Sequence, residues 1–320
     1  MRVDRSFPSE NALIDLLAKN YSLGRIEKCL LLKCIPNQVY KIVAEQGCFI
    51  FKIYNRAGIN LELEVEYLNF LSEKGLHVAR PIKTMQGSKI LEISLPEGLR
   101  KSVLTEFASG NELAFDLSEH ASMYGRVAAQ LHAVSCEFEP MSVSNSICLP
   151  SLYDEAVNNL QVFFNKNDRI NEWRELQDIL AGVREISEKI PYASLAKSFL
   201  HADLHGGNAH LFGDKLTLFD FEYIGFGPIA YELAVFKWGT QIGGREWNWD
   251  HFVTGYQEIK NLSEFDLQYV QPLTLVRDIL MLSYHISNAE ILGQQYISKV
   301  YLKNRSKFLQ NGLLNTQIQG

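Results

Sequence analysis

His201-Ala202-Asp203-Leu204-His205-Gly206-Gly207-Asn208 is followed, twelve residues beyond its asparagine, by Phe219-Asp220-Phe221. A carboxylate, an amide five residues later and a second carboxylate make up the set that phosphoryl transfer from a magnesium nucleotide requires. On this reading Asp203 is the catalytic residue and takes or orients the proton of an acceptor hydroxyl. Asn208 and Asp220 are the metal ligands. Gly206, Gly207 and Asn208 are also ordinary turn formers, so the loop gains weight from the strand and second carboxylate beyond it. Lys215-Leu216-Thr217-Leu218-Phe219 is a short, largely apolar run entered from a Gly213-Asp214 turn, and it reads as a hairpin strand paired with 209–212. A carboxylate at the end of such a strand is costly to bury unless it meets a cation or a metal. His201 reads as a brace of the loop, and His205 carries no assigned role.

The 320 residues exceed what most single hydrophobic cores hold, which predicts two lobes. An apolar fraction of 47% with 21% charged residues fits a folded soluble chain. The net charge of −6 argues against nonspecific nucleic-acid binding, which needs a basic face. No stretch approaches the ~18 consecutive apolar residues of a membrane span, and MRVDRSFPSENA lacks the apolar core of a signal peptide. Nucleic-acid and membrane partners are therefore not expected. Cys29, Cys34, Cys48, Cys136 and Cys148 form no CxxC pair, so free thiols and a cytoplasmic location are expected.

The first hundred residues predict a helix over 11–21, with Leu13, Leu16 and Leu17 at helical spacing, and three strands over 25–34, 38–45 and 48–54. The third strand, Cys48-Phe49-Ile50-Phe51-Lys52-Ile53-Tyr54, carries one lysine among apolar residues. Lysine is rarely buried without a partner. A helix ending at Gly75 supplies one. At about 100° per residue, Leu61, Val65, Leu68 and Leu71 all fall within roughly 100° of Glu64, so that carboxylate lies inside the apolar stripe. Glu62, Glu66 and Glu73 point the other way, where solvated glutamates belong. The expectation is a Lys52–Glu64 pair, with the lysine placing nucleotide phosphates.

By these features the chain resembles the aminoglycoside phosphotransferase and choline kinase-like family of the protein-kinase-like fold. The motifs that carry the resemblance are Lys52 in a third strand, Glu64 in the next helix, the His201–Asn208 loop and Asp220. Gly227-Pro228-Ile229-Ala230-Tyr231-Glu232-Leu233-Ala234 is similar to the family's Gly-Pro-x-x-Tyr-Asp-Leu-Ala helix start, with Glu232 in place of the usual aspartate. Ala202 replaces a usual glycine. No GxGxxG loop precedes the lysine strand, and Ile35-Pro36-Asn37-Gln38-Val39 stands in its place.

The resemblance implies an α+β, bilobal protein-kinase-like fold. A small antiparallel-sheet N-lobe over 1–106 would bind nucleotide, and a larger, mostly helical C-lobe over 107–320 would supply catalysis and substrate contacts. It also places a hinge after Ser102-Val103-Leu104-Thr105, whose backbone near Glu106 and Phe107 would meet adenine.

Helical patterns cover 117–135, roughly 151–187, 229–240 and, with breaks, 247–310, with a Ser- and Asn-containing loop over 140–150. Residues 241–320 balance seven acidic and seven basic side chains, whereas a polycationic acceptor would favour an acidic cleft. Arg277, Asp278, Tyr256, Trp247 and Trp249 are available as substrate contacts, none preferred. The expected activity is an ATP- and Mg2+-dependent kinase that phosphorylates a hydroxyl of a small molecule. The alternatives are a protein Ser/Thr kinase on the same scaffold and a nucleotide-binding module without catalysis.

Overall fold

The computed structural model describes residues 3–55, 58–113, 115–142 and 145–318. The chain runs through helix α1 (Glu10–Asn20), strands β1 (Ile26–Lys33), β2 (Gln38–Ala44) and β3 (Gly47–Ile53), helix α2 (Leu61–Glu73), and strands β4 (Leu91–Leu95), β5 (Gly98–Glu106) and β6 (Asn111–Glu112). Helices α3 (Ser118–Val134), α4 (Leu149–Lys166) and α5 (Ile170–Glu188) come after them. Strands β7 (Lys197–Leu200), β8 (Ala209–Phe212), β9 (Lys215–Leu218) and β10 (Gly225–Pro228) come next. Helices α6 (Ile229–Ile242), α7 (Asn248–Gln257), α8 (Glu264–Leu267), α9 (Val270–Leu292) and α10 (Lys299–Ile318) complete the chain.

Two compact units share the polypeptide. The first comprises Met1–Leu113, Glu137–Ser144 and Gly207–Ile224; the second comprises Ala114–Cys136, Asn145–Gly206 and Gly225–Gly320.

The first unit is built on a five-stranded antiparallel sheet in the order β1-β2-β3-β5-β4. Burial alternates residue by residue along β2 and β3, as period-2 side chains on a half-covered sheet require. Phe49, Phe51 and Ile53 of β3 join Tyr40, Ile42 and Leu104 in a core that Leu13 and Leu17 of α1 close. Ser9 caps α1, its hydroxyl accepting from the Ala12 amide at 3.3 Å. Lys52 falls on the other phase of β3. Near it, Tyr54, Leu61, Val65 and Val103 form a second, smaller apolar cluster. Asn60 caps α2 through the Leu63 amide at 3.1 Å. The stripe deduced for this helix holds: Glu64 is buried, while Glu62 and Glu73 are exposed and Glu66 half-buried.

The expected hairpin forms, with Ala209 opposite Leu218 and Gly213 at its tip in the left-handed region (φ 63) that favours glycine. It docks on the chain before β4: the Leu218 amide donates to His77 O and the Ala79 amide to Leu218 O, both at 2.9 Å. Asn208 and Asp220 stand at the open end of this hairpin, where the Phe219 amide donates to Asn208 O at 3.0 Å. Strand β4 lies outside the sequence reading, although Leu91, Ile93 and Leu95 alternate with polar neighbours.

The second unit is mostly helical. Its core gathers residues of α4, α5, α9 and α10, among them Leu160, Phe163, Phe164, Leu176, Val183, Ile279, Leu282 and Leu309. The helical pattern expected over 151–187 is two helices, broken at Asp168, whose φ of 54 no α-helix tolerates. The loop expected over 140–150 ends earlier, because Leu149 and Pro150 begin α4, where proline at a first helical turn costs no hydrogen bond; residues 143 and 144 lie outside the described residues. β7 and β10 pair antiparallel, Leu200 opposite Gly225. The first leads into the His201 loop and the second into α6. All five cysteines are free. Among the described residues no helix is long and apolar enough to cross a membrane.

Candidate active site

In the first unit, Lys52 sits in a charged cluster. Its ammonium pairs with Asp220 and, at 2.8 Å, with Glu222. The Tyr54 ring lies beneath it, 4.7 Å from ammonium to centroid. Tyr54 Oη in turn donates to Glu64 Oε1 at 2.9 Å. The direct Lys52–Glu64 ion pair expected from the helical stripe is therefore not formed. Two carboxylates from the segment after β9 take the ammonium, and the tyrosine hydroxyl satisfies one oxygen of Glu64. Glu64 Oε2 is buried and has no hydrogen-bond partner among the described residues.

The charges shift as burial and proximity dictate. Burial alone would lower the Lys52 pKa, but Asp220, Tyr54, Glu222 and Glu64 together hold it well above the ordinary value. Burial pushes the Glu64 carboxyl up to about 7, with the Lys52 charge opposing part of the rise. Burial and then the nearby Glu64 charge raise the Tyr54 phenol well above its ordinary range.

Asp220 adopts φ 66, a left-handed conformation that L-residues reach at a cost of about 1–3 kcal/mol. Its carboxylate pairs with the Lys52 ammonium. Asn208 is buried at the end of a one-turn 3-10 segment, Gly206–Asn208. Among the described residues no three His, Cys, Asp or Glu side chains gather as a metal site. Asn208 and Asp220 contribute an amide and a carboxylate oxygen at this end of the hairpin.

Glu106 closes β5. Its carboxylate pairs with Arg80 at 2.5 Å, and its amide donates to Arg80 O at 2.9 Å. The Phe107 amide donates to Cys48 O at 3.2 Å, and its ring is flanked by Lys41 Nζ, 4.1 Å from the centroid, and by His210. Both amide hydrogens at the expected hinge are thus spent inside the protein.

In the second unit, Asp203 is held from two sides. Arg277 of α9 pairs with its Oδ1, and His205 Nε2 lies 3.5 Å from its Oδ2. Burial would raise this carboxyl, but the Arg277 guanidinium, helped by His205, holds it well below the usual carboxylate range. The loop backbone is pinned too. Glu232 Oε2 accepts from the amides of His201 (2.6 Å) and Ala202 (3.2 Å), and Tyr124 Oη donates to His205 O at 2.8 Å. Ala202 has φ 63, which accounts for glycine being usual there in the family it resembles. His201 is fully buried, and its Nδ1 accepts from the Asp203 amide at 3.3 Å, the bracing position expected of it.

Sequence reasoning passed over Glu222 and Tyr54 and named Arg277 without choosing it. Glu222 had no periodic signal: Asp220 is left-handed and Glu222 lies in a turn, so strand spacing does not bring the two carboxylates together. Arg277 had none either, since one cation in a long helical pattern is commonly a solvated side chain.

A lysine-bearing antiparallel sheet and an aspartate loop on helical supports are the parts of a kinase-like phosphotransferase. The chain belongs to the phosphotransferase enzyme family, whose sequence model matches residues 35–273. An uncharacterised protein of Synechocystis sp. is 28% identical over 306 residues, covering 94% of this chain and 84% of that one. The amicoumacin kinase of Bacillus subtilis is 22% identical over 330 residues, covering 97% and 94%. A solved amicoumacin kinase in complex with AMP-PNP, Ca2+ and Ami superposes with a TM-score of 0.76 at 16% identity, covering 97% of this chain and 94% of that one. That likeness establishes the protein-kinase-like fold.

Proposed function

We propose that the protein is a kinase that transfers the γ-phosphate of ATP, with magnesium, to a hydroxyl of a small molecule. One observation carries the reading: the lone lysine of β3 and the carboxylate that ends the β8–β9 hairpin meet in one charged cluster. Phosphoryl transfer is mostly positioning and charge neutralisation, and these two groups supply opposite halves of that task. Lys52 takes the nucleotide phosphates. Glu64, through Tyr54, supports the lysine's surroundings. Glu106 and Phe107 border the base, through groups other than their spent amide hydrogens.

Asn208 and Asp220 fit a magnesium ion. They are hard oxygen donors at one end of a hairpin, and two protein ligands suffice for an ion that keeps waters and substrate phosphates. When bound, magnesium neutralises developing charge on the transferred phosphoryl group. Asp203 meets the acceptor. A carboxylate held this acidic is a weak base, so it first orients the hydroxyl and receives the proton late. Those of the named relatives that carry an activity are amicoumacin kinases, which favours a small acceptor over a protein.

The test is calorimetric titration with ATP and magnesium, followed by a screen of hydroxylated metabolites, amino alcohols, sugars and antibiotics for ADP release. Acceptor-dependent ADP release supports the reading. Label from radioactive ATP appearing in protein bands of an extract would support the protein-kinase alternative, and absence of nucleotide binding would defeat both.

A further inference from the structure

We propose that Glu222 is a positioning residue that locks Lys52 and the turn before β2 into one rigid phosphate-receiving element, and that it retains the lysine when Asp220 turns to the metal. The proposal rests on the kinase reading above.

Lys52 has two carboxylate partners, and they are not alike. The Asp220 side chain is 30% exposed, whereas that of Glu222 is 5% exposed. Asp220 can therefore be reached by an incoming cation without unpacking the protein, and Glu222 cannot. A buried carboxylate is tolerated only when fully partnered, and Glu222 Oε2 has two donors. One is Lys52 Nζ at 2.8 Å; the other is Asn37 Nδ2 at 2.5 Å. Asn37 is itself only 2% exposed. Its Oδ1 accepts from the Asn55 amide at 3.0 Å, and Asn55 Nδ2 donates to Pro36 O at 3.2 Å.

The turn Ile35-Pro36-Asn37 is thus held from two directions. Asn55 grips it from the end of β3, and Glu222 from the segment after β9. This turn occupies the place where a glycine-rich phosphate loop would stand, and it contains no glycine. A glycine-rich loop folds over phosphate because its backbone is free to approach. Here the backbone is set in advance by side chains, and the same carboxylate oxygen that sets it also sets the lysine. Pre-ordering of this kind lowers the entropy lost on binding.

The experiment measures the affinity of AMP-PNP by calorimetry, with and without magnesium, for the wild type, Glu222→Ala, Asn37→Ala and the double variant, with thermal melts confirming folding. Loss of a hydrogen bond to a buried charge predicts a loss of about tenfold or more for each single variant. The double variant should lose little beyond the worse single one, because both act through one oxygen. The loss for Glu222→Ala should be at least as large with magnesium as without it, because Asp220 then leaves the lysine to Glu222. Three results would overturn the proposal: unchanged affinity, additive losses, or a loss that vanishes when magnesium is present. Should Glu222→Ala fail to fold, Asn37→Asp takes its place. It sets carboxylate against carboxylate and should bind more weakly than Asn37→Ala; equal or tighter binding overturns the proposal. A wild type that binds no nucleotide defeats the kinase reading, whereas a wild type that binds while its variants match it defeats only this inference.

Discussion

Lys52 and Asp220 stand 168 residues apart in the chain, and in the first unit their side chains form an ion pair. Removing the cation leaves Glu222 buried beside Asp220 with no counter-charge. Breaking a buried pair from one side costs about 3–5 kcal/mol; the partial exposure of Asp220 places Lys52→Met near the lower end. Urea unfolding should show that loss, and nucleotide titration should show binding abolished. Lys52→Arg should not restore binding, because a planar fork does not replace a compact ammonium.

Asp220 and Asn208 differ from Lys52 in what they should change. Asp220→Asn should leave the fold intact and raise the magnesium concentration needed for nucleotide binding by at least about tenfold, since even outer partners of a metal site cost that much. Removing divalent metal with a chelator should stop ADP release in the wild type. A magnesium requirement identical in wild type and variant would remove Asp220 from the metal site.

Asp203→Asn should lower the transfer rate by about 10²–10⁴ while leaving nucleotide affinity unchanged. Near-normal turnover would end its assigned role. Arg277→Met tests the electrostatics of the same residue. The wild-type carboxyl is held well below its ordinary value of 3.8 despite burial, chiefly by the Arg277 guanidinium. Its stabilising contribution is present above pH 3.8 and lost as the pH falls through the depressed value. Without the guanidinium the pKa rises, and the acid limb of the rate–pH profile should move up by at least about one pH unit.

Glu64 predicts the opposite slope. Burial raises its folded-state pKa from 4.5 to about 7. Its contribution to stability is complete below about pH 4.5 and is lost as the pH rises through about 7, by roughly 3 kcal/mol across that window. Glu64→Gln keeps an acceptor for Tyr54 and cannot ionise, so unfolding midpoints measured from pH 5 to 8 should flatten relative to wild type. Parallel profiles for the two proteins would show that Glu64 does not titrate there.

Helices α3 and α7 approach through glycine. A Cβ placed on Gly255 would strike the carbonyl of Ser122, and one on Gly125 the carbonyl of Phe252. Neither obstacle is a flexible side-chain end. Gly255→Ala should therefore destabilise the protein by about 1–3 kcal/mol through overpacking, measured as a fall in the urea midpoint, with nucleotide affinity unchanged.

Much of the local structure is legible in the sequence. The period-2 run through Lys52, the α2 stripe that buries Glu64 and the hairpin ahead of Asp220 are all set by which side chains recur on which face. The choice of partners is not legible there. Glu64 in a buried stripe asks for a donor, and a lysine of the neighbouring strand is the natural candidate. Whether it meets that lysine depends on what else arrives there, and Tyr54, Asp220 and Glu222 arrive first.

Arg277 makes the same point in the second unit. Its position in α9 is an ordinary helical one, and only the fold sets it against Asp203, 74 residues earlier. By itself the sequence determined the chemical inventory and its local geometry: a lysine on a sheet, a glutamate on a buried helical face, an aspartate loop and a carboxylate at a strand end. The tertiary structure alone decided the pairing, placing Lys52 with Asp220 and Glu222, Glu64 with Tyr54, and Asp203 with Arg277. The reason is physical. Secondary structure arises from short-range periodicity, whereas the partner of a buried charge is chosen by desolvation and Coulombic attraction among groups that packing brings from anywhere in the chain.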